Sequence, residues 1–287
     1  MLFKDLKNLV KETHLPLHEV ILSYEMLESA EDPETLKNSL SSLLRAILEI
    51  SERVYGKTFK TLTGLTGNNA SKLSKNDHGL LSEFMRCAVI TALSMSENNA
   101  SMGKIVACPT AGACGIVPGV FYALKKIKGF DFDTLLKGFI VSGGIGEIIA
   151  SKATISGAVG GCQAEIGTAA AMASAGLTYC LGGNIEAVEA AASISLKSLM
   201  GLVCDPVGGF VEVPCVKRNG TAVTVAITSS EIALSGIKSV IPFDEVVDAM
   251  KKVGKSLPET LKETALGGVA VTPTAKKILK RILGKLT

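Results

Sequence analysis

Residues 132–183 read FDTLLKGFIVSGGIGEIIASKATISGAVGGCQAEIGTAAAMASAGLTYCLGG, and this stretch decides the fold class. Apolar residues recur at helical spacing through 132–150, and a loop of small residues follows at 151–162. Residues 164–181 are Ala-rich and apolar around the whole girth of a helix. A helix without a polar face is expected to lie buried among other elements. The stretch therefore predicts a helical core.

The helical pattern continues on both sides of this stretch. Further helices are predicted near residues 2–10, 36–47, 80–89, 116–128, 185–200, 221–235, 243–254 and 273–284. The helix near 36–47 has the start signal Asp32-Pro33-Glu34. Alternation with a period of two is nearly absent, and Phe210–Val213 is its best short case. We therefore predict a mainly α-helical single domain over 1–287, with N-terminal helices in 1–60 and the functional core in 61–287.

Composition excludes several classes of protein. The 287 residues are 47% hydrophobic but only 5% aromatic, with 29 Gly and no Trp, which predicts a packed core of small and aliphatic side chains. The 30 basic and 27 acidic residues are interspersed, so no nucleic-acid surface is indicated. The apolar stretch 138–183 is interrupted by Glu147, Lys152 and Glu165, which argues against a membrane span. The N-terminus lacks an apolar signal-peptide core, so we expect a cytoplasmic protein with reduced thiols.

Four long polar loops are predicted at residues 56–79, 97–115, 151–162 and 201–220. Long loops in a compact domain usually bind something. These four contain most of the Gly, Asn and Pro residues and five of the seven cysteines. The loops, rather than the helices, are therefore expected to contain the functional residues.

The seven cysteines divide by context. Cys87 and Cys180 lie on apolar helices and are interpreted as core residues. Cys162, Cys204 and Cys215 lie in loops beside Gly or Pro. No C-x-x-C pair occurs, so two interpretations stay open, namely a metal or cluster held by thiolates or scattered structural thiols. With only three His in the chain, thiolate ligands would favour an iron–sulfur group.

Several motifs carry a resemblance to a known family. They are TGLTGNNASKL (63–73), ENNASMGKIVACPTAGACGIVPGV (97–120), SGGIGEIIASKATISGAVGGCQAEIGTAAAMASAGLTYCLGG (142–183), GLVCDPVGGFVEVPCVKRN (201–219) and LKETALGGVA (261–270). Together they cover most of the chain beyond residue 60, and the sequence resembles the α subunit of bacterial iron–sulfur-dependent L-serine dehydratase, or L-serine deaminase. The resemblance implies an alpha-chain-like catalytic domain over 1–287, with a cluster and substrate-binding core in 61–287.

The resemblance also implies a chemistry. Cys162, Cys204 and Cys215 would ligate one [4Fe–4S] cluster whose open iron acts as a Lewis acid on the serine hydroxyl. The activity would be that of an L-serine ammonia-lyase, forming pyruvate and ammonia in amino-acid catabolism and gluconeogenesis. Single-chain members add a C-terminal Cys as a fourth ligand, whereas this sequence ends KRILGKLT. Two-subunit members have a separate β subunit with a regulatory-type domain and an SSHT-like segment, and no such segment occurs in this sequence, so the resemblance implies a β subunit that completes the site.

Candidate substrate and catalytic residues lie in the same motifs. The loop Cys108-Pro109-Thr110-Ala111-Gly112 leads into a helix and would bind the serine carboxylate through backbone N–H groups. Asn68, Asn98 and Asn99 are candidate substrate ligands or, taken alone, turn residues. Lys152 is a candidate base or a solvated loop residue. Arg218 and Asn219 are candidate hydrogen-bond donors to the cluster sulfurs.

Three other functions share some of these sequence features. A pyridoxal-phosphate dehydratase with Lys152 as the Schiff base would need an α/β fold, which the helical pattern disfavours. An L-cysteine desulfidase-type lyase of the same broad family would expel a thiol instead of hydroxide, and few residues separate the two substrates. An iron–sulfur electron carrier would need a fourth thiolate that the motifs do not supply.

Overall fold

The protein is described from a computed structural model, which covers residues 1–286 and the side chains of residues 1–284. The α-helices of the described residues are α1 (Phe3–Thr13), α2 (Leu17–Ser29), α3 (Pro33–Val54), α4 (Asn69–Lys75), α5 (Glu83–Ala100), α6 (Ile116–Lys128), α7 (Phe132–Lys152), α8 (Gly157–Gly160), α9 (Thr168–Cys180), α10 (Ile185–Ser198), α11 (Cys215–Leu234), α12 (Phe243–Ser256) and α13 (Pro273–Leu286). The mainly α-helical prediction is confirmed.

Helix α9 is the centre of the bundle. It packs against α6, α7, α10 and α11, and all its residues except Tyr179 are buried. Its contact with α7 is close because Gly138 and Gly176 face each other across the two helices. A Cβ atom on Gly138 would lie 2.9 Å from the carbonyl oxygen of Gly176. The Ser142 hydroxyl of α7 donates to the carbonyl of Met172 at 2.8 Å, which satisfies a polar group inside this dry contact.

The N-terminal helices join the same hydrophobic core. Phe3 of α1 packs edge-on against Phe243 of α12, with ring centroids 5.9 Å apart, and both rings are fully buried. The predicted start signal of α3 is confirmed, since Asp32 accepts hydrogen bonds from the backbone N–H groups of Glu34 and Thr35. Residues from α1 to α12 thus share one continuous core.

Several predicted loop boundaries were wrong. Helix α5 continues through Glu97, Asn98 and Asn99, which the sequence placed in a loop. Helix α11 begins at Cys215, five residues before the predicted loop ends at 220, so Arg218 and Asn219 lie on a helix. Helix α4 lies inside the predicted loop 56–79. Residues 211–214 form a turn where 210–213 showed alternation, and within residues 1–286 the only β-type pairing is an isolated bridge between Cys204 and Lys262.

Helix α7 is long and apolar enough to cross a membrane by length and composition alone. In the described part of the chain it is the one helix that meets this test, and 67% of its most apolar window is buried inside the protein. A helix buried in a protein core also meets this test, because it is surrounded by other helices and is therefore apolar on every side.

Candidate active site

Three of the seven cysteines meet from three different elements. Cys162 directly precedes a π-helical turn, Gln163–Gly167, that leads into α9. Two backbone hydrogen bonds position Cys204. Its N–H donates to the carbonyl of Leu261 at 2.9 Å, and its carbonyl accepts from the N–H of Glu263 at 2.8 Å. Cys215 is the first residue of α11. All three side chains are buried. The convergence joins the middle of the chain to its C-terminal third.

The three thiols interact with one another. The Cys204 thiol donates a hydrogen bond to Cys162, and this bond together with the positive charge of Arg218 lowers the pKa of Cys162 despite its burial. The pKa of Cys204 is raised, because it gives that hydrogen bond as a neutral thiol and is also buried. Burial and the neighbouring Cys162 raise the pKa of Cys215 to about 12. Among the three, Cys162 is therefore the thiol that loses its proton most readily.

Arg218 links the cysteines to the loop that contains Cys204. Its guanidinium contacts Cys162, donates to the Val203 carbonyl at 2.9 Å, and forms an ion pair with Asp205 at 2.8 Å. Asp205 is buried and also accepts a hydrogen bond from the backbone N–H of Val269 at 2.7 Å. The contact with Cys162 is the one expected of a donor to a ligand sulfur.

The three cysteine thiols suit some metal groups better than others. Among residues 1–284 no three His, Cys, Asp or Glu side chains lie close enough to hold a single metal ion. An iron–sulfur cluster makes a different demand, because each protein thiolate binds its own iron. Three buried, interacting thiols with an adjacent guanidinium supply the soft donors and the charge compensation that such a cluster needs. The residues fit a cluster better than a single ion.

Asn219 fastens the predicted substrate loop to the cysteines. Its side-chain oxygen accepts from the backbone N–H of Gly115 at 2.9 Å. Its amide nitrogen donates to the carbonyl of Gly112 at 2.8 Å and to that of Cys215 at 3.0 Å. The sequence predicted Asn219 as a donor to cluster sulfurs, whereas its donors here are taken by backbone carbonyls. It holds the 108–115 loop beside Cys215.

Glu165 is the functional candidate that sequence reasoning missed. It lies in the π-helical turn, accepts a hydrogen bond from the Thr110 hydroxyl at 2.7 Å, and faces Gly112, where a Cβ atom would lie 2.9 Å from Glu165 Oε1. Burial raises its pKa, and the bond from Thr110 partly opposes this shift. Its motif GCQAEIG is part of the family resemblance, but the hydrogen-bond partner of Glu165 lies 55 residues away in the chain, so the motif alone does not assign it a role.

The predicted asparagine ligands have different surroundings. Asn98 is buried and donates to the Lys104 carbonyl at 2.9 Å. Asn99 donates to the carbonyl of Val106 at 2.7 Å and accepts from its N–H at 3.1 Å. Asn68 is exposed and precedes α4 without a side-chain capping bond. The first two hold the chain that leads into the substrate loop.

Lys152 lies at the C-terminal end of α7 and pairs with α12. Its ammonium group lies 3.3 Å from the carboxylate of Asp248, and its backbone carbonyl accepts from Lys251. These contacts join two helices at the surface. They favour a structural role over the predicted role as the base.

A cavity of about 230 Å³ adjoins Cys215 and the substrate loop. Ala111 and Gly112 of that loop, Ser96 and Asn99 of α5, and Asn219 form part of its wall. Ligand pockets are usually about 300–1,000 Å³, so this one suits a very small molecule. Cys108 and Pro109 instead line a second cavity, of about 360 Å³, between α7 and the N-terminal helices.

Comparison with known proteins identifies the family. The family model described as Serine dehydratase alpha chain matches residues 12–270. The probable L-serine dehydratase alpha chain of Bacillus subtilis is 39% identical over 98% of this chain and 94% of its own length. The L-serine dehydratase alpha chain of Peptoniphilus asaccharolyticus is 38% identical over 98% of this chain and 97% of its own length. The chain belongs to the serine dehydratase alpha chain family.

The family match covers the candidate site residues. The range matched by the serine dehydratase alpha chain model includes the three cysteines, the 108–115 loop, Glu165, Arg218 and Asn219. The family resemblance inferred from the motifs is therefore confirmed. The roles of individual residues stay predictions.

Some relatives of this serine dehydratase alpha chain are longer single chains. The L-serine dehydratase of Streptomyces coelicolor is 36% identical over 93% of this chain, but the match covers 60% of its length. Roughly two fifths of that relative thus has no counterpart here, whereas the relatives named alpha chain are covered almost completely.

Proposed function

We propose that the chain is the α subunit of an iron–sulfur-dependent L-serine dehydratase, a cytoplasmic lyase that converts L-serine to pyruvate and ammonium. The observation that supports this most directly is the meeting of Cys162, Cys204 and Cys215 beside the 108–115 loop. The names of the alpha-chain relatives support serine as the substrate and a separate β subunit as the partner.

The three cysteines would hold a [4Fe–4S] cluster in this proposal. When bound, such a cluster with one iron not ligated by protein supplies a Lewis acid for the departing hydroxyl group. Arg218 contacts Cys162 and favours its thiolate, so it offsets part of the negative charge of the ligand set. Asp205 in turn fixes the guanidinium through the 2.8 Å ion pair.

The chain's own residues would orient the substrate. Dehydration removes the Cα proton and the β-hydroxyl group of serine, and the aminoacrylate product then tautomerises and hydrolyses to pyruvate and ammonium. The 108–115 loop would bind the carboxylate through backbone N–H groups near the start of α6. Asn219 and Glu165 hold this loop from two sides, which keeps it in one position relative to the cysteines.

Anaerobic purification tests the proposal. The protein should be brown, contain about four irons per active site, and form pyruvate from L-serine in proportion to its iron content once the β subunit is present. Cys162→Ser, Cys204→Ser and Cys215→Ser should each lose the cluster. Cys87→Ser is the matched control, because Cys87 is equally buried but lies beside Tyr55.

Three outcomes would contradict the proposal, two of them the assigned activity and one the ligand set. A colourless protein inactivated by borohydride would indicate a pyridoxal-phosphate enzyme. A higher kcat/KM for L-cysteine than for L-serine, with sulfide release, would indicate a desulfidase. Equal iron loss in Cys87→Ser would show that the ligand set is wrong.

A further inference from the structure

Gln163 directly follows Cys162 and is fully buried, although its side chain ends in a polar amide group. Burying an amide is unfavourable unless its donors and its acceptor find hydrogen-bond partners. An apolar side chain would fill the same space without that requirement. The partners of Gln163 therefore show which parts of the chain this residue holds together.

Two hydrogen bonds join Gln163 to the segment that leads to Cys204. Its side-chain oxygen accepts from the backbone N–H of Gly201, and its own backbone N–H donates to the carbonyl of Leu202, both at 2.9 Å. Gly201 and Leu202 precede Cys204 by three and two residues. Two bonds from one residue to adjacent residues fix the register of the two segments as well as their separation.

The side-chain nitrogen of Gln163 joins the same turn to α12. It donates to the carbonyl of Gly160 at 2.9 Å and to the carbonyl of Met250 at 3.1 Å. Both N–H donors and the oxygen of the amide thus have partners. A buried polar network in which every member is satisfied rigidifies the structure and specifies one arrangement.

Two glycines allow this close approach. Gly161 has φ 76°, and a Cβ atom there would lie 3.0 Å from the carbonyl oxygen of Leu202. A Cβ atom on Gly254 of α12 would lie 3.1 Å from the side-chain nitrogen of Gln163 and 3.1 Å from the Cα atom of Gly160. A larger side chain at either glycine would push the turn away from its neighbours.

We propose that Gln163 is a positioning residue that sets the separation of Cys162 and Cys204 in the folded chain before any cluster binds. The inference rests on the proposed function, which takes both cysteines as cluster ligands. The Cys204 thiol donates to Cys162, so the two sulfurs are in contact in the arrangement that Gln163 holds. The four bonds of Gln163 reach Gly160, residues 201–202 and α12, whereas Cys215 lies on α11, so the position of Cys215 is set separately.

Two substitutions disturb this arrangement in different ways. Gln163→Met keeps the length of the side chain and removes its three hydrogen bonds. Gly254→Ala places a methyl group against the amide, and it should fold readily because Ala is a better helix former than Gly.

Thr178→Val is the matched control. Thr178 is also fully buried, and its hydroxyl donates to the carbonyl of Ser174 at 2.8 Å. It lies near the far end of α9, about 15 Å along the helix from Thr168 at the usual rise per residue. The control therefore removes a buried hydrogen bond without touching the turn that contains Cys162.

The first measurement uses the cluster-free, reduced chain. Diamide oxidises two neighbouring thiols to a disulfide and is itself reduced to the hydrazine, and mass spectrometry identifies the cysteines that are joined. In Gln163→Met the ratio of Cys162–Cys204 to Cys162–Cys215 disulfide should fall, because only the Cys204 segment has lost its bonds to the turn. Thr178→Val should keep the wild-type ratio, and circular dichroism checks that each variant keeps its helices.

The second measurement follows iron loss after anaerobic loading with iron and sulfide. With a ferrous-iron chelator in excess, Gln163→Met should lose iron about tenfold faster than the wild type, the lower end of the effect on metal affinity when a group that orients a ligand is removed. Gly254→Ala should change both measurements in the same direction, although it favours the helix. Thr178→Val should lose iron at the wild-type rate.

Wild-type values in both measurements for Gln163→Met would overturn the proposal, and Gly254→Ala decides it in the same way if Gln163→Met does not fold. Equal changes in Thr178→Val would also overturn it, because the effect would then be one of general stability. If the wild-type chain takes up no iron, the proposed function fails, whereas the disulfide ratio still tests whether Gln163 positions the two cysteines.

Discussion

Glu165 is the residue whose contacts most directly join the substrate loop to the cysteine-bearing turn. Its carboxylate accepts the Thr110 hydroxyl at 2.7 Å, and the π-helical turn that carries it begins one residue after Cys162. π-helical turns are often found at functional sites, where they redirect a side chain at the expense of regular helix bonding. This hydrogen bond therefore fixes the substrate loop relative to the turn that follows Cys162.

We expect Glu165→Ala to lower kcat/KM for L-serine by roughly 10- to 100-fold, because the loop loses an anchor and small displacements at a reacting centre are costly. Glu165→Gln should recover most of the loss, since an amide oxygen can still accept from Thr110. Steady-state kinetics on samples with equal iron content measure both. A Gln variant as poor as Ala would mean that the charge, and not the hydrogen bond, is required.

A substitution of Lys152 tests whether this residue is the general base or only a partner in a surface ion pair. A general base typically contributes about 10²–10⁴-fold to the rate, whereas a partly exposed ion pair contributes about 0–1 kcal/mol to stability. From the 3.3 Å pairing with Asp248 we expect Lys152→Met to keep near wild-type kcat and to lose only a little thermal stability. Asp248→Asn should have a similarly small effect. A rate loss of 100-fold or more in Lys152→Met alone would restore its role as the base.

At the scale of elements, the sequence predicted where helices exist better than where they end. Residues 97–100 look like loop because they are polar, yet Glu97 is fully buried. Its carboxylate accepts hydrogen bonds from the backbone N–H groups of Gly67 and Asn69 at 2.7 and 2.8 Å. Glu97 therefore stabilises the N-terminal end of α4. A polar side chain with a distant partner cannot be distinguished from a solvated one by sequence pattern.

The start of α11 was missed for a related reason. Pro214 and Gly220 indicate a loop, but Pro214 directly precedes the helix, and Gly220 faces α5 so closely that a Cβ atom would lie 3.0 Å from Leu93. This glycine is therefore a packing residue. The cysteine ligand candidates were found by resemblance, whereas Glu165 and the cavity needed the three-dimensional arrangement, because their partners are far apart in the chain.

Helix α7 offers a matched pair of glycines for testing its packing on α9. A Cβ atom on Gly138 would meet the Cys180 sulfur and the Gly176 carbonyl, while one on Gly143 would meet nothing within 4 Å. Gly138→Ala should lower the free energy of unfolding by about 1–3 kcal/mol through overpacking. Gly143→Ala should be neutral or stabilise by up to about 1 kcal/mol, since Ala is the better helix former. Urea unfolding of both variants checks this, and equal values would contradict the close α7–α9 contact.

At the scale of the whole molecule, one buried histidine joins the N-terminal helices to the central helix. His18 of α2 lies with its Nδ1 atom 2.7 Å from the Tyr179 hydroxyl of α9. Burial lowers the pKa of His18 from its usual 6.5. Four charged side chains on α2, α3 and α7 also affect this pKa. Glu19 and Asp133 raise it, whereas Lys37 and Lys137 lower it. The neutral ring is therefore the form that the fold prefers.

This preference predicts how stability depends on pH. Because the pKa of His18 is lower in the folded state than in the unfolded state, the unfolded chain binds more protons at pH values below about 6.5. The neutral ring's contribution is fully present above pH 6.5 and is lost as the pH falls through the folded-state pKa. His18→Gln should therefore flatten the dependence of unfolding free energy on pH between 7 and 5, whereas the exposed control His78→Gln should leave it unchanged. Urea unfolding of the anaerobic chain at several pH values measures the slopes. A His18→Gln slope equal to that of the wild type would show that the N-terminal helices do not hold this histidine in its neutral form.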